Sequence, residues 1–356
     1  MIIRPLFLYF RMLTIVAILQ LLHGCSEEDA TKKISYQGAS DSWLIDSTKI
    51  VGQLNNSFPV LTNANYTAIK NVTSLSPNSL VLVLRTNKQT YVYPTERMWV
   101  EVVNEKNNHD LFAITWCPIT ESGVAWNRKF GSDTLVFAAS GMLYKENLVP
   151  YDTTYLSFWS QMLNQGIKGR FSLSPLKNYQ VIETTFLTAK EMDPDALLFD
   201  VHTAAECNFP GEFISAKNNY LPQNLKTTTR NEDRFYSILE STVSRDIDNG
   251  SKVLLVDTSL FRKPNNMIET SKYLIIYDKQ KQLITTFNKG SSSKYEYTPE
   301  SFPLILSDEF QNIYNIFGQI VEGPNKGDRL RSPASYSAKK WALDKFYNQL
   351  DYVEDN

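Results

Sequence analysis

The chain has 356 residues, enough for about two domains of ordinary size and a substantial core. Apolar residues make up 42%, charged residues 21%, and the net charge is −2. That balance excludes a disordered acidic chain and offers no basic surplus for nucleic acid. With 14 glycines and 15 prolines, the sequence is neither low-complexity nor collagen-like.

Residues 1–25 read MIIRPLFLYFRMLTIVAILQLLHGC. Arg4 and Arg11 give a positive start, and an uncharged apolar run from Met12 to Leu22 follows. Such a run is too short to cross a bilayer core of about 30 Å as a helix, so residues 1–24 are read as a signal peptide. It ends in Leu22-His23-Gly24-Cys25, which resembles a bacterial lipobox. Cleavage before Cys25 makes it the first mature residue and the site of lipid attachment, and two or more acyl chains anchor stably. His23 stands where a small residue is usual, which leaves a plain secretory signal as the alternative. Removal of residues 1–24 takes out two arginines and no acid, so the charge falls from −2 to −4.

Ser26-Glu27-Glu28-Asp29 comes next, and residues 25–57 read as an acidic tether and linker with one or two ordered pieces. An acidic run directly after a lipid-bearing cysteine resembles the surface-export signal of Bacteroidetes lipoproteins. The expected location is the outer membrane, lipid-anchored and displayed on the cell surface. Its periplasmic face is the alternative.

From Ser79 onward, short β-branched and aromatic runs alternate with turn residues. Residues 80–85 and 90–93, split by Thr86-Asn87-Lys88-Gln89, form a predicted hairpin, and 112–117, 124–127, 134–139 and 155–160 continue the series. Residues 187–192 are helical in pattern and are stopped by Asp193-Pro194. Further on, 252–256, 272–278 and 282–288 are strand-like. Residues 337–350 read as an amphipathic helix with Trp341, Leu343, Phe346 and Leu350 apolar. The fold class expected is mainly β, a β-rich α+β protein with a few short helices.

Internal similarity suggests two related β-rich halves. Gln161, Lys168, Gly169, Ser174 and Pro175 recur at one spacing as Gln319, Lys326, Gly327, Ser332 and Pro333. The first half would span 58–207 and carry the motifs. A polar connector at 208–231 would lead to a diverged second half at 232–356.

The segment 112–161 contains Thr115-Trp116-Cys117-Pro118, then Phe137-Ala138-Ala139-Ser140-Gly141-Met142-Leu143-Tyr144. Asn147-Leu148-Val149-Pro150-Tyr151-Asp152 and Phe158-Trp159-Ser160-Gln161 complete the series. In order and spacing it resembles the bacterial domain-of-unknown-function family 3179, with T-Y-C-P-L-C, F-G-V-S-G-L-L-Y, N-L-V-M-Y-D and L-W-S-Q at the matching places. Tyr93-Pro94 and Trp99-Val100-Glu101 fall where that family has Y-P and W-H-E. The resemblance implies a duplicated chain and assigns no activity. Two positions depart from it: Thr120 replaces the second cysteine and Val100 the histidine. Chemistry that needs that Cys, Cys and His together would lack two of the three groups.

With Cys25 committed to lipid, Cys117 and Cys207 remain, a disulfide candidate in an oxidising envelope. The plainer reading of Cys117 is a small buried hydrophobe. As a nucleophile it would need a base, and the mature histidines are His109 and His202. No metal-ligand cluster, phosphate-binding glycine loop or nucleophile elbow occurs, so no metal and no cofactor are expected. Trp99, Trp116, Trp126 and Trp159 lie in the best-matching segment, where aromatic rings serve a core or line a groove. The candidate cleft comprises Tyr93, Glu101, Cys117, Ser140, Tyr144, Asn147, Asp152, Trp159 and Gln161. Asp152 also suits a plain turn former.

The expected function is a lipid-anchored binding or accessory module of unknown activity. It would be held to the membrane through Cys25, with an unknown ligand or surface partner and no nucleic acid. Any groove is expected in the first half, and a structural role in the second. The competing class is an envelope enzyme using Cys117, Glu101 or Asp152. A structural subunit of a surface complex is the third reading.

Overall fold

Leu80–Arg85 carries four consecutive buried apolar residues and pairs with Thr90–Pro94 across the polar turn marked in the sequence. A short run apolar on both faces forms a strand that must be covered on both faces. A computed structural model describes residues 42–55, 58–62, 64–98, 100–106, 110–200, 234–240, 251–257 and 265–353. Within them the protein is mainly β, as several small sheets with two short α-helices, α1 (Phe186–Met192) and α2 (Lys340–Phe346). The Thr185 hydroxyl caps α1 by accepting the Thr188 amide, and the helix ends just before Pro194, which cannot continue it.

One arrangement of strands occurs twice. Val181–Thr185 pairs antiparallel with Leu80–Arg85, that strand with Thr90–Pro94, and Leu197–Phe199 lies parallel to the last. Likewise Ser335–Lys339 pairs antiparallel with Arg234–Leu239, that strand with Lys252–Val256, and Gln349–Tyr352 lies parallel to the last. The registers agree. Leu80 pairs with Thr185 as Arg234 pairs with Lys339, both members displaced by 154 residues. The start of α1 is displaced from that of α2 by the same 154.

This displacement corrects the spacing seen in the sequence. The bridges Gln165–Pro175 and Gln319–Arg329 equate Gln319 with Gln165, not with Gln161. Gln161 is fully buried in a side-chain cluster, whereas Gln319 closes a local turn with Asn315. The five identities therefore join residues that play different parts.

The cores explain why the two arrangements stay together. Leu82, Leu84, Tyr91, Phe112 and Ile114 form a sandwich within the first, and Tyr236, Ile238, Tyr273 and Ile275 form its counterpart within the second. The other face of each central sheet is covered by the opposite arrangement. Val81, Val83, Phe186 and Ala189 pack with Leu274, Ile276 and Phe287, while Leu255, Ala338, Leu343 and Phe346 pack with Phe137, Trp159 and Ile167. Ala39–Asn356 is accordingly one compact unit rather than two separable bodies. The predicted connector 208–231 lies outside the described residues.

Two local expectations change, and the linker carries an ordered piece. The helix foreseen over 337–350 begins later, because Ser335–Lys339 is a strand that buries Tyr336 and Ala338 in period two before α2 starts. The strand foreseen at 134–139 is Phe137–Tyr144, preceded by the separate short strand Asp133–Thr134, and the one foreseen at 155–160 is Phe158–Ser160, preceded by a turn that ends at Tyr155. The end of the predicted linker is docked: Ile50–Val51 pairs with Leu143 and Tyr144, and the Leu44 amide donates to the Ile167 carbonyl at 2.9 Å. Cys25 and its acidic run lie outside the described residues.

Candidate functional site

The hairpin of Leu111–Cys117 and Ser122–Asn127 brings Thr115, Thr120 and Ser122 to one spot. Asn147 and Gln161 arrive there from the neighbouring sheet. The Gln161 Oε1 accepts Asn147 Nδ2 at 2.6 Å and the Ser122 hydroxyl at 2.9 Å. Its Nε2 donates to the Thr115 hydroxyl at 2.9 Å, and Asn147 Nδ2 also donates to the Thr120 hydroxyl at 2.9 Å. All five side chains are buried, at 1% exposure or less. A polar group sealed from water must find partners inside, and here the cluster supplies them. Asn147 Oδ1 alone in this cluster is buried without a partner.

Cys117 borders this cluster as a buried, free thiol. Burial pushes its pKa up and outweighs the lowering by hydrogen bonds from Thr120, while the Glu101 charge pushes the same way as burial. It is therefore a protonated, shielded group rather than a thiolate nucleophile. Its expected partners Cys207, His109 and His202 lie outside the described residues, as does Trp99.

The other candidates do not converge on a cleft. Asp152, with no exposed surface, accepts the Tyr155 and Ser157 amides at 2.7 and 3.1 Å, the geometry of a turn former. Burial raises its pKa against the pull of those amides. Trp159 stacks on Phe171 at 5.9 Å and meets Phe137 edge-on at 5.8 Å. Tyr144 packs edge-on against Phe346 at 5.6 Å. The Ser140 hydroxyl donates to the Val149 carbonyl and braces the irregular register around Gly141, whose φ is +77°. Tyr93 belongs to a different core, sharing a 2.8 Å hydrogen bond with Tyr66, which donates to Glu105. Glu101 is half-buried in a left-handed backbone conformation, and its carbonyl accepts the Trp116 amide.

Sequence reasoning missed a charged cluster that ties the two arrangements together. Arg234 grips Glu183 through both terminal nitrogens, with Nη2 to Oε2 at 2.9 Å, and donates to the Glu121 carbonyl at 2.6 Å. Lys339, 4% exposed, pairs with Glu121 at 3.0 Å, and its amide donates to the Thr120 carbonyl. No motif signals this cluster, because its members are scattered along the chain.

An open concavity lies in the half expected to be structural. A pocket of about 410 Å³ is lined by Tyr295, Asp308, Phe310, Asn312, Tyr314, Asn325, Asp328 and Arg329, among others. Asp308 accepts the Phe310 and Asn312 amides at 3.0 and 2.9 Å, Asn312 Nδ2 at 3.0 Å and the Tyr314 hydroxyl at 2.6 Å. Burial alone would raise its carboxyl, but these donors hold it below the usual carboxylate range. The one signal in the sequence is an aspartate shortly before an aromatic residue in both halves, at Asp152 and Asp308.

These features define a β-rich protein with a closed polar cluster in its first half and an open polar pocket in its second. Residues 55–350 match the model of the family described as a protein of unknown function, DUF3179, and the chain belongs to that family. No curated protein and no solved structure matches it. Among the described residues, no helix is long and apolar enough to cross a membrane, and no group of three or more His, Cys, Asp or Glu could hold a metal ion.

Proposed function

We propose that this chain is a lipid-anchored protein of the outer membrane, displayed at the cell surface and acting as a binding module. Its recognition site is the pocket around Tyr295, Asp308 and Asn325, the observation that carries this reading. Ligand sites are concave and combine apolar walls with a few fixed polar groups, which fits that pocket. The anchor rests on Leu22-His23-Gly24-Cys25 and the acidic run behind it. The recurring strand order supports an origin by duplication, with the first copy filled in and the second left open.

Two of the three groups named for the enzyme alternative are less suited to it, since Cys117 is shielded and protonated and both Asp152 oxygens accept backbone amides, which leaves Glu101. Two measurements test the proposal. Palmitate labelling should mark the wild type and not Cys25→Ser, and protease applied to intact cells should digest the protein. Unlabelled wild type would sink the anchor. Thermal shifts against a library of small metabolites test the binding role. A ligand present at 100 times its Kd should stabilise by about 2.7 kcal/mol.

A further inference from the structure

The same corner is built twice, and only the first copy fills it with rings. Phe137 pairs with Asp152 as Tyr295 pairs with Asp308. Trp159 pairs with Gly166 as Tyr314 pairs with Ile320. The Ser174 amide donates to the Phe171 carbonyl as the Asp328 amide donates to the Asn325 carbonyl. Tyr295, Tyr314 and Asn325 thus replace Phe137, Trp159 and Phe171. The three rings of the first copy close its corner by mutual contact. In the second copy, phenols and an amide leave a pocket.

We infer that this pocket binds a neutral, polyhydroxylated ring, a monosaccharide or one sugar unit of a longer glycan. The inference rests on the binding-module reading and names its ligand class. Asp308 is already saturated by four donors from its own wall, so the floor offers no site for a free cation. An anion would face that same carboxylate. What remains on the floor is neutral: the Tyr295 hydroxyl accepts the Gly290 amide at 3.1 Å, and its proton is left to donate. At the rim stand Asp328 and Arg329, both exposed and opposite in charge. The Asp328 carboxylate accepts from one hydroxyl, and the Arg329 guanidinium, one nitrogen of which already donates to the Phe317 carbonyl at 3.3 Å, donates to another, the pattern that sugar hydroxyls require. Phe310, 51% exposed, offers an apolar face for the C–H side of the ring.

The test is saturation-transfer NMR on the full-length protein with glucose, galactose, mannose, xylose and N-acetylglucosamine. Glycine and inorganic phosphate serve as zwitterionic and anionic probes. At least one sugar should receive saturation on its ring protons. Asn325→Phe, which restores the ring of the first copy but removes the Oδ1 that accepts Asn312 Nδ2 at 3.1 Å, should abolish that transfer in a protein that still unfolds in one cooperative transition. Asp328→Ala, at an exposed position, should weaken affinity about tenfold or more, as expected for a lost hydrogen bond to a charged group. Lys272→Ala, outside the pocket, should change nothing. No sugar binding, or sugar binding that survives Asn325→Phe, overturns the inference. Glycine or phosphate binding that Asn325→Phe removes, with sugars inert, overturns the sugar class and leaves the binding module standing. Absence of any ligand sensitive to Asn325→Phe defeats both.

Discussion

Asp152 and Asp308 cap the same turn in the two strand arrangements. Each carboxylate accepts two backbone amides, from Tyr155 and Ser157 in one case and from Phe310 and Asn312 in the other. Their surroundings separate them. Burial raises the Asp152 pKa above the ordinary 3.8, while the donors around Asp308 outweigh burial and lower it. The lowered group stabilises the fold above the ordinary pKa, and that contribution is lost as pH falls through its folded value. The raised group does the opposite, costing stability as pH rises from the ordinary value through its folded one. Urea unfolding below pH 3.8 and at neutrality should therefore show opposite trends. The cost of Asp308→Asn should grow with pH, and that of Asp152→Asn should shrink. Parallel trends would refute the contrast.

The closed cluster is architectural, and its removal should be felt as stability. Gln161→Leu leaves Asn147 Nδ2 and the hydroxyls of Ser122 and Thr115 without their Gln161 partner. Each buried group stranded in this way costs about 1–3 kcal/mol, measurable as a fall in the urea midpoint. An unchanged midpoint would show that water reaches the cluster.

Arg234 joins the two arrangements through Glu183 and Glu121. Removing one partner of a buried ion pair costs about 3–5 kcal/mol, so Arg234→Ala should destabilise by that order. Because each central sheet is covered by the opposite arrangement, the wild type should unfold in one transition by fluorescence and circular dichroism. Two separated transitions would mean that the arrangements are independent.

Cys117 should resist modification. In a Cys25→Ser, Cys207→Ser background, iodoacetamide should label it only after unfolding, given its burial and raised pKa. Rapid labelling of the native protein at neutral pH would revive the thiol-enzyme alternative.

Much was legible before folding. Residues 80–85 and 252–256 read as strands because runs of β-branched and aliphatic residues can bury both faces. The stop at Asp193-Pro194 set the end of α1 through proline's missing amide. Family membership was legible too, because the segments around Cys117, Ser140, Asn147 and Trp159 keep their order and spacing. Ser335–Lys339 was not. Its period-two burial is masked by the amphipathic helix that follows, and pairing with Arg234–Ile238 decides it.

By itself, then, the sequence determined which segments pair locally, where turns and helix ends fall, and which family the chain joins. These follow from side-chain periodicity and backbone chemistry within a few residues. The tertiary structure alone decided that Gln161 and Asn147 meet Thr115 and Thr120 out of solvent, and that Arg234 closes over Glu183. It also decided that Asn325, where the first arrangement has Phe171, lines an open pocket. Burial and convergence depend on which distant strands share a sheet and which surface covers them, and no local pattern encodes that.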